Sequence, residues 1–277
     1  MSGAPRGRVL AIAGSDSGGG AGIQADIKTI TALGGYAATA LTAVTVQDTT
    51  GVRGVIALPP EFVAAQIAVV LDDIGADAIK TGMLGNAATM QAIAEVLARP
   101  AQLGVPVVVD PVMVAKGGAS LLPEEALPSF QRHILPCTFL LTPNVPEAEA
   151  LCGERIETKE AMRQAAEALL TLGVSAVLLK GGHLPGPDVT DILATSTGTE
   201  AFTAARIDTR HTHGTGCTLA SAIATGLAQG MGLRPAVLRA RAYVRAALAA
   251  APGLGAGHGP LGHTVTLDPA RLGSFED

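Results

Sequence analysis

Short apolar runs alternate along the chain with segments in which apolar residues recur every three or four positions. The apolar runs occupy residues 9–13, 41–46, 78–79, 105–109, 139–141 and 176–179. Helical spacing appears between them, for example at Phe62, Ala65 and Val69. Continuous apolar strands are typical of parallel sheets that have helices on both faces, because both surfaces of each strand are then buried. The pattern predicts an α/β fold, a three-layer αβα sandwich around a mostly parallel central sheet.

The pattern runs through the chain without an interdomain linker. The 277 residues fit one large α/β domain, which we expect to span 1–277 with its core at 8–251. Residues 252–277 are rich in glycine and proline and predict a tail without regular structure. Alternating Phe202 and Ala204 with Ile207 predict edge strands within 198–210.

Nearly every predicted strand ends in polar or glycine-rich sequence. These strand ends are residues 14–22, 47–49, 80–83, 110–113, 142–147 and 180–183. Ligands of such sheets bind outside the carboxyl ends of the strands, so the convergence predicts one ligand site. The loop after Gly14 lacks both the P-loop and the dinucleotide-binding pattern, and a simple strand-to-helix turn is its alternative interpretation. Asp26 follows this loop by one helical turn and is expected to reach toward the site.

Composition and charge exclude several classes of protein. A hydrophobic content of 48% with 16% charged residues excludes a disordered chain. Aromatic residues amount to 3% and the net charge is -5, so we expect no nucleic-acid partner. Cys137, Cys152 and Cys217 are too scattered for a disulfide framework or a Cys-x-x-Cys metal site. No run approaches the roughly 18 apolar residues of a membrane span, and we expect a cytoplasmic protein without a membrane partner.

A glycine-rich segment at 212–218 opens a predicted helix. Gly214, Thr215 and Gly216 leave backbone N–H groups uncovered at the positive helix end, which suits phosphate oxygens or a developing anion. Cys217 follows at the first helical positions, where the helix dipole favours the thiolate and a role as a base. The alternatives are an ordinary capped helix and a cysteine that only fills space.

Four further polar residues at strand ends suit phosphate chemistry. Asn144 and Glu147, three residues apart at a strand-to-helix junction, are candidates for holding Mg²⁺ that presents nucleotide phosphates. Asp110 adds a second carboxylate, and Lys180 is a candidate for neutralising phosphate charge. The alternatives are that Glu147 only caps the helix and that Lys180 only extends to solvent. Together the four predict phosphoryl transfer.

The ordered motifs resemble those of the hydroxymethylpyrimidine/phosphomethylpyrimidine kinases of thiamine biosynthesis, within the ribokinase superfamily. The resemblance runs from residue 9 to about 263. It is carried by AGSD at 13–16, GGGAGIQAD at 18–26, QDT at 47–49, KTGML at 80–84, VDPVM at 109–113, TPNVPEA at 142–148, KGGH at 180–183 and THGTGC at 212–217. It implies a ribokinase-like fold.

The resemblance also implies an activity: Mg²⁺-assisted, ATP-dependent phosphorylation of 4-amino-5-hydroxymethyl-2-methylpyrimidine. A second transfer to the monophosphate would give the pyrophosphate used for thiamine. The residues expected at the pyrimidine are Gln47, Asp26, Met83 and Gly14. An amide suits this ligand because it offers one donor and one acceptor to a ring nitrogen and its exocyclic amine.

By the same resemblance, residues 214–217 would form the anion hole, with Cys217 where most ribokinase relatives carry an aspartate base. Lys180, Asn144 and Asp110 are then expected at ATP, and Glu147 with Asp110 at the metal. The resemblance further implies a homo-oligomer, which we expect to be a dimer.

Two alternatives remain open on the sequence. A pyridoxal or pyridoxine kinase acts on another hydroxymethyl-bearing aza-aromatic ring, although such relatives more often carry aspartate where Cys217 stands. A protein of a different class, a pyrimidine-binding regulator without catalysis, would keep the fold. The intact set of Asp110, Glu147, Lys180 and Cys217 favours an enzyme.

Overall fold

One mixed sheet forms the centre of the computed structural model, which describes residues 7–114, 118 and 121–268. Within these residues the strands are β1 (Arg8–Ser15), β2 (Tyr36–Asp48), β3 (Gly51–Ala57), β4 (Ala78–Thr81), β5 (Val107–Val109), β6 (Leu140–Leu141), β7 (Ala176–Leu179), β8 (Asp188–Thr195) and β9 (Gly198–Ala205). Their order across the sheet is β3-β2-β1-β4-β5-β6-β7-β8-β9. In the middle of the sheet, the six neighbouring strands β2, β1, β4, β5, β6 and β7 are parallel. At the edges, β3, β8 and β9 pair antiparallel. The predicted mostly parallel sheet is confirmed.

Helices cover both faces of this sheet. The described helices are α1 (Gly22–Ala32), α2 (Pro60–Asp73), α3 (Ala87–Gln102), α4 (Leu127–Ser129), α5 (Val145–Cys152), α6 (Lys159–Leu170), α7 (Thr215–Ala228) and α8 (Leu233–Ala249), with short 3-10 turns at Glu124–Ala126 and Leu135–Cys137 and a π turn at Phe130–Ile134. Along β1, Leu10 and Ile12 pack into one core with α2, α3 and α6. Val9 and Ala11 point to the other core, with α7 and α8. Two cores on opposite faces confirm the three-layer αβα sandwich.

The sheet edges depart from the prediction. β3 and β8 were not expected, and β2 begins five residues before the predicted apolar run at 41–46. β3 is mostly exposed and forms an antiparallel ribbon with β2, so it lacks the continuous apolar signature of a buried strand. The edge strand expected within 198–210 is confirmed as β9.

The C-terminal segment has no helix or strand between residues 252 and 268, as predicted; residues 269–277 lie outside the described part. It is nevertheless anchored, because Leu261 and His263 are buried and the backbone N–H of His213 donates to Gly259 O at 3.1 Å. The limits of the single domain stay a prediction. Among the described residues, no helix has the length and apolar character needed to cross a bilayer.

The site is positioned by the reversal of strand order at β1. The connection from β1 leads to β2 on one side, and after β3 the chain returns to place β4 on the other side of β1. Open α/β sheets form a crevice at such a point. Helix α7 packs across β1, β4 and β5, and its N-terminus therefore meets the loops that follow these strands.

Candidate active site

The N-terminus of α7 is open to a ligand. Its N-cap Gly214 has φ 81°, a left-handed conformation that favours glycine, and a Cβ there would collide with Gly20 O. No side chain caps this helix, in contrast to α3, α5 and α6. Within the described residues, nothing accepts a hydrogen bond from the backbone N–H of Gly216 or Cys217. Free N–H groups at a helix start suit an anion, as the sequence predicts for residues 214–217. Thr215 belongs to the same turn, although its hydroxyl donates to Thr212 O at 2.8 Å.

Cys217 lies in the first turn of α7, as predicted, but its ionisation differs from the prediction. Burial raises the pKa of its thiol to about 11, against the opposing effect of Lys80, while Asp26 and Asp110 raise it further. The backbone N–H of Gly22 acts in the opposite direction and lowers this pKa. The expectation that the helix end favours the thiolate is therefore wrong, because desolvation and two carboxylates outweigh the dipole. At neutral pH the group is a thiol.

Asp26 is paired beneath this cysteine instead of reaching into the opening. Lys80 Nζ lies 2.9 Å and 2.8 Å from its two carboxylate oxygens, and Ser221 Oγ donates to Oδ1 at 2.7 Å. Both charged side chains are fully buried. Burial lowers the pKa of Lys80, but Asp26 and then Cys217 and Asp110 raise it more, so the ammonium stays charged. The predicted contact between Asp26 and the substrate stays a prediction, and the structure shows this carboxylate fully buried against Lys80 and Ser221.

Asp110 and Lys180 meet at the start of α7. Lys180 Nζ donates to Asp110 Oδ1 at 2.6 Å, and a Cβ on Gly216 would lie 3.1 Å from that Nζ and 3.2 Å from Asp110 Oδ2. Burial lowers the pKa of Lys180, whereas Asp110 and Glu147 raise it above its usual value, so the lysine remains cationic. Lys180 thus points into the structure rather than out to solvent. It places positive charge beside the free N–H groups of α7.

Asn144 and Glu147 form the capping box of α5. Asn144 Oδ1 accepts from Glu147 N at 2.9 Å, and Glu147 Oε2 accepts from Asn144 N at 2.8 Å. The capping alternative is therefore confirmed, and it occupies the side-chain oxygen of Asn144. The Glu147 carboxylate still faces the site: burial raises its pKa, Lys180 lowers it and Asp110 raises it.

Few side chains at this site could act as metal ligands. Within the described residues, no three His, Cys, Asp or Glu side chains cluster as ligands. Asp110 raises the pKa of the Glu147 carboxyl, and a cation between the two side chains would relieve this repulsion. Mg²⁺ is commonly held by one or two carboxylates together with substrate phosphates. The residues present therefore fit Mg²⁺ bound jointly with a nucleotide.

The residues expected at the pyrimidine lie around β1 and β2. A Cβ on Gly14 would approach Met83 Sδ to 3.1 Å, so glycine lets the methionine pack against the end of β1. Gln47 lies at the end of β2, with its Nε2 3.4 Å from Nε2 of His213. His213 precedes the N-cap of α7. Gln47 therefore lies beside the residue that precedes α7, and its sharing of one crevice with Cys217 stays a prediction.

Sequence reasoning did not assign three residues that the structure brings into the site. Lys80, Asp16 and His213 occur in the quoted motifs without a role of their own. A charged residue inside the fully buried β4 was the available signal for Lys80, because a buried charge needs a partner. Nothing in the local pattern indicates that Asp16 contacts a histidine 197 positions away.

Known proteins resemble this chain over most of its length. A family model described as phosphomethylpyrimidine kinase matches residues 16–262. The thiamine biosynthesis bifunctional protein ThiED of Geobacter sulfurreducens is 52% identical over 96% of this chain, which spans only 54% of that relative. The hydroxymethylpyrimidine/phosphomethylpyrimidine kinase of Streptomyces coelicolor is 49% identical over 94% of this chain and 95% of its own length.

Solved structures share the ribokinase-like architecture. An ADP complex of Bacillus subtilis pyridoxal kinase has a TM-score of 0.86 at 34% identity, covering 94% of this chain and 98% of that one. The phosphomethylpyrimidine kinase of Clostridium difficile 630 has a TM-score of 0.76 at 38% identity, covering 86% and 97%. The family match and the identities confirm the resemblance that the motifs indicated. The chain belongs to the phosphomethylpyrimidine kinase family.

Proposed function

We propose that the protein transfers phosphate from ATP to 4-amino-5-hydroxymethyl-2-methylpyrimidine and then to the resulting monophosphate, giving the pyrophosphate for thiamine. The observation that carries the proposal is the contact of Gly216, in the open first turn of α7, with the Asp110–Lys180 pair. Phosphoryl transfer has a loose transition state, so catalysis rests on positioning and on neutralising charge. The site supplies these functions through two backbone N–H groups of α7, the Lys180 ammonium, and the Asp110 and Glu147 carboxylates, which suit Mg²⁺.

Each group has a distinct part in this reaction. The N–H groups of Gly216 and Cys217 bind oxygens of the transferred phosphoryl group, and Lys180 balances their charge. Mg²⁺ held by Asp110 and Glu147 would neutralise further phosphate charge. Gln47, Gly14 and Met83 hold the pyrimidine at the other side of the crevice. Lys80 fixes a positive charge beneath Cys217, whose thiol orients the substrate hydroxyl.

Pyridoxal phosphorylation is the second candidate, supported by the TM-score of 0.86 to a pyridoxal kinase. The pyrimidine activity is better supported, since a relative named for it is 49% identical over 94% of this chain. Comparing both substrates by coupled ADP release separates the two, and faster turnover of pyridoxal or pyridoxine would favour the second candidate.

Phosphorus NMR of the products tests the proposal directly. We expect the free pyrimidine and Mg-ATP to give first a monophosphate resonance and then the paired resonances of a pyrophosphate. A monophosphate alone would limit the activity to the first step. Binding of the pyrimidine without any phosphorylated product would instead identify a regulator.

Substitution of Gly216 tests the anion hole. In Gly216→Ala, the added methyl group presses against Lys180 and Asp110, and we expect kcat to fall by about tenfold because the phosphate cradle is displaced. Gly232→Ala at the N-cap of α8 is the matched control, since its Cβ would meet only Pro235 Cδ at 3.7 Å. Equal kcat for Gly216→Ala and the control would contradict the assignment. Steady-state kinetics at saturating ATP measure kcat for both variants.

The assembly and the location of the protein stay predictions. We propose a cytoplasmic homodimer, in keeping with the family, and sedimentation analysis measures its mass in solution.

A further inference from the structure

The loop between β7 and β8 is wrapped around the guanidinium of Arg206. Nε of Arg206 donates to Gly186 O at 2.9 Å. Its Nη1 donates to Gly182 O at 3.0 Å, and its Nη2 donates to Leu184 O at 2.5 Å. The backbone N–H of Arg206 also donates to Pro187 O at 2.7 Å. One side chain therefore binds the carbonyl oxygens of three alternate loop residues.

The composition of this loop favours flexibility when it is not anchored. Residues 181–187 include three glycines and two prolines, and most of them are exposed. Inside the loop, the backbone N–H of Leu184 donates to Gly181 O at 3.1 Å. Glycine gives an unanchored backbone many conformations, so fixing such a loop when a ligand binds costs conformational entropy. The hydrogen bonds to Arg206 order the loop before any ligand binds.

The guanidinium is suited to this contact by its shape. Arg206 directly follows β9, and β9 pairs antiparallel with β8, with Ala205 opposite Asp188. The sheet register therefore fixes where the side chain starts. A guanidinium carries five N–H donors in a rigid planar fork, whereas the ammonium of lysine places its donors around one atom. Three carbonyls spread along a loop therefore require arginine and not merely a positive charge.

The two segments that Arg206 joins both border the phosphate-binding groups. The loop begins directly after Lys180, and the segment that follows Arg206 leads to Gly214, the N-cap of α7. At the start of the loop, the backbone N–H of Gly181 donates to Asp191 Oδ1 at 3.0 Å. The loop is thus fixed at its beginning by Asp191 and along its length by Arg206.

The strand order indicates which part of ATP this loop borders. In phosphoryl transfer, the attacking and leaving oxygens lie roughly in line on opposite sides of the phosphoryl group. The residues expected at the pyrimidine lie around β1 and β2, whereas the loop follows β7, four strands beyond β1 in the sheet. With the acceptor at β1 and β2, the leaving ADP extends toward β7, β8 and β9.

We propose that Arg206 is a positioning residue for ATP, whose guanidinium holds residues 182–186 in the shape that borders the nucleotide without contacting the reacting atoms. The inference rests on the proposed function in that ATP is the phosphoryl donor. A loop ordered in advance reduces the entropy lost when the nucleotide binds. Its three carbonyl oxygens, which would repel phosphate oxygens, stay bound to the guanidinium. Arg206 therefore governs the affinity for ATP and not the chemical step.

The competing explanation is that Arg206, which is exposed, attracts the phosphates of ATP through its charge alone. Lysine preserves the charge and removes the planar fork, so Arg206→Lys separates the two explanations. Arg206→Ala removes both the charge and the fork.

The experiment measures steady-state kinetics for each substrate and, independently of turnover, the Kd of a non-hydrolysable ATP analogue with Mg²⁺ by calorimetry. In both Arg206 variants we expect the KM for ATP and the Kd of the analogue to rise by about tenfold, because the loop must then be ordered during binding. The kcat at saturating ATP and the KM for the pyrimidine should stay within about threefold of wild type, since the groups at the phosphoryl transfer are unchanged.

Arg245→Lys and Arg245→Ala are the matched controls. This arginine of α8 donates to Ala205 O at 2.7 Å, one residue before Arg206 and outside the loop. Both control variants should keep the wild-type affinity for ATP. Circular dichroism monitors folding, and each folded Arg206 variant tests the inference by itself.

Wild-type affinity for the nucleotide in folded Arg206→Lys overturns the inference, and weak binding in Arg206→Ala alone would then identify charge as the cause. An equal loss in kcat and in both KM values would indicate a general distortion and would also overturn it. Binding of the analogue to the wild-type protein without phosphate transfer to the pyrimidine would refute the proposed function, and the Kd values alone would then decide the inference. No binding of the analogue to the wild-type protein would overturn both.

Discussion

Replacing Cys217 by alanine is expected to lower kcat by about 100-fold while the affinity for ATP changes less than about threefold. The sulfur lies in the first turn of α7 and adjoins Lys80, and in the proposed function it orients the substrate hydroxyl. Its removal leaves the free N–H groups and Lys180 in place for the phosphates. Steady-state kinetics and calorimetry with a non-hydrolysable ATP analogue measure the two quantities.

Serine at this position separates orientation from base catalysis. With a pKa of about 11 the group is almost entirely a thiol at neutral pH, and a loose transition state needs no strong base. We therefore expect Cys217→Ser, which keeps a hydrogen-bonding group, to retain kcat within about tenfold of wild type. We also expect the wild-type kcat to stay nearly constant between about pH 7 and 9.

The opposite results would establish a thiolate base. In that case Cys217→Ser would be as slow as Cys217→Ala, and the wild-type kcat would rise about tenfold per pH unit below the thiol pKa. Cys137→Ala is the control, because burial also raises the pKa of this half-buried thiol but it lies outside the site. It should leave kcat unchanged.

The parallel centre of the fold was predictable because both faces of its strands are buried. The apolar runs at β1, β5 and β7 carry this signature directly. The antiparallel strands β3 and β8 carry no such signature, since β3 is largely exposed and the buried part of β8 begins with the polar residues Thr190 and Asp191. Their pairing depends on neighbouring strands, which a local pattern does not specify.

The part of the site that lies at the ends of parallel strands was predictable from the sequence. Polar residues at the ends of parallel strands necessarily share one edge, so Asp110, Lys180 and the start of α7 were brought together correctly. Side-chain direction was not predictable, as the burial of Asp26 shows. The ionisation of Cys217 was also missed, because it depends on desolvation and on carboxylates from distant parts of the chain.

The buried Lys80–Asp26 pair is expected to give the largest stability effect. Lys80→Met leaves a fully buried carboxylate without its counter-ion, and we expect the free energy of unfolding to fall by about 3–5 kcal/mol. The double variant Lys80→Met/Asp26→Leu removes both charges and should be more stable than Lys80→Met alone, because no unpaired charge remains. Urea unfolding measures both. Arg234→Met, which breaks the exposed pair with Glu200, is the control and should have a much smaller effect.

The pH dependence of Lys80→Met identifies the unpaired carboxylate as the cause. Without Lys80, burial raises the pKa of Asp26 far above the unfolded value of about 3.9, so the folded chain binds a proton that the unfolded chain does not. Stability of this variant should therefore rise as the pH falls from about 8 to 5, and its deficit relative to wild type should shrink. A deficit independent of pH, and equal in the double variant, would mean that lost packing of the lysine chain and not the buried charge destabilises the protein.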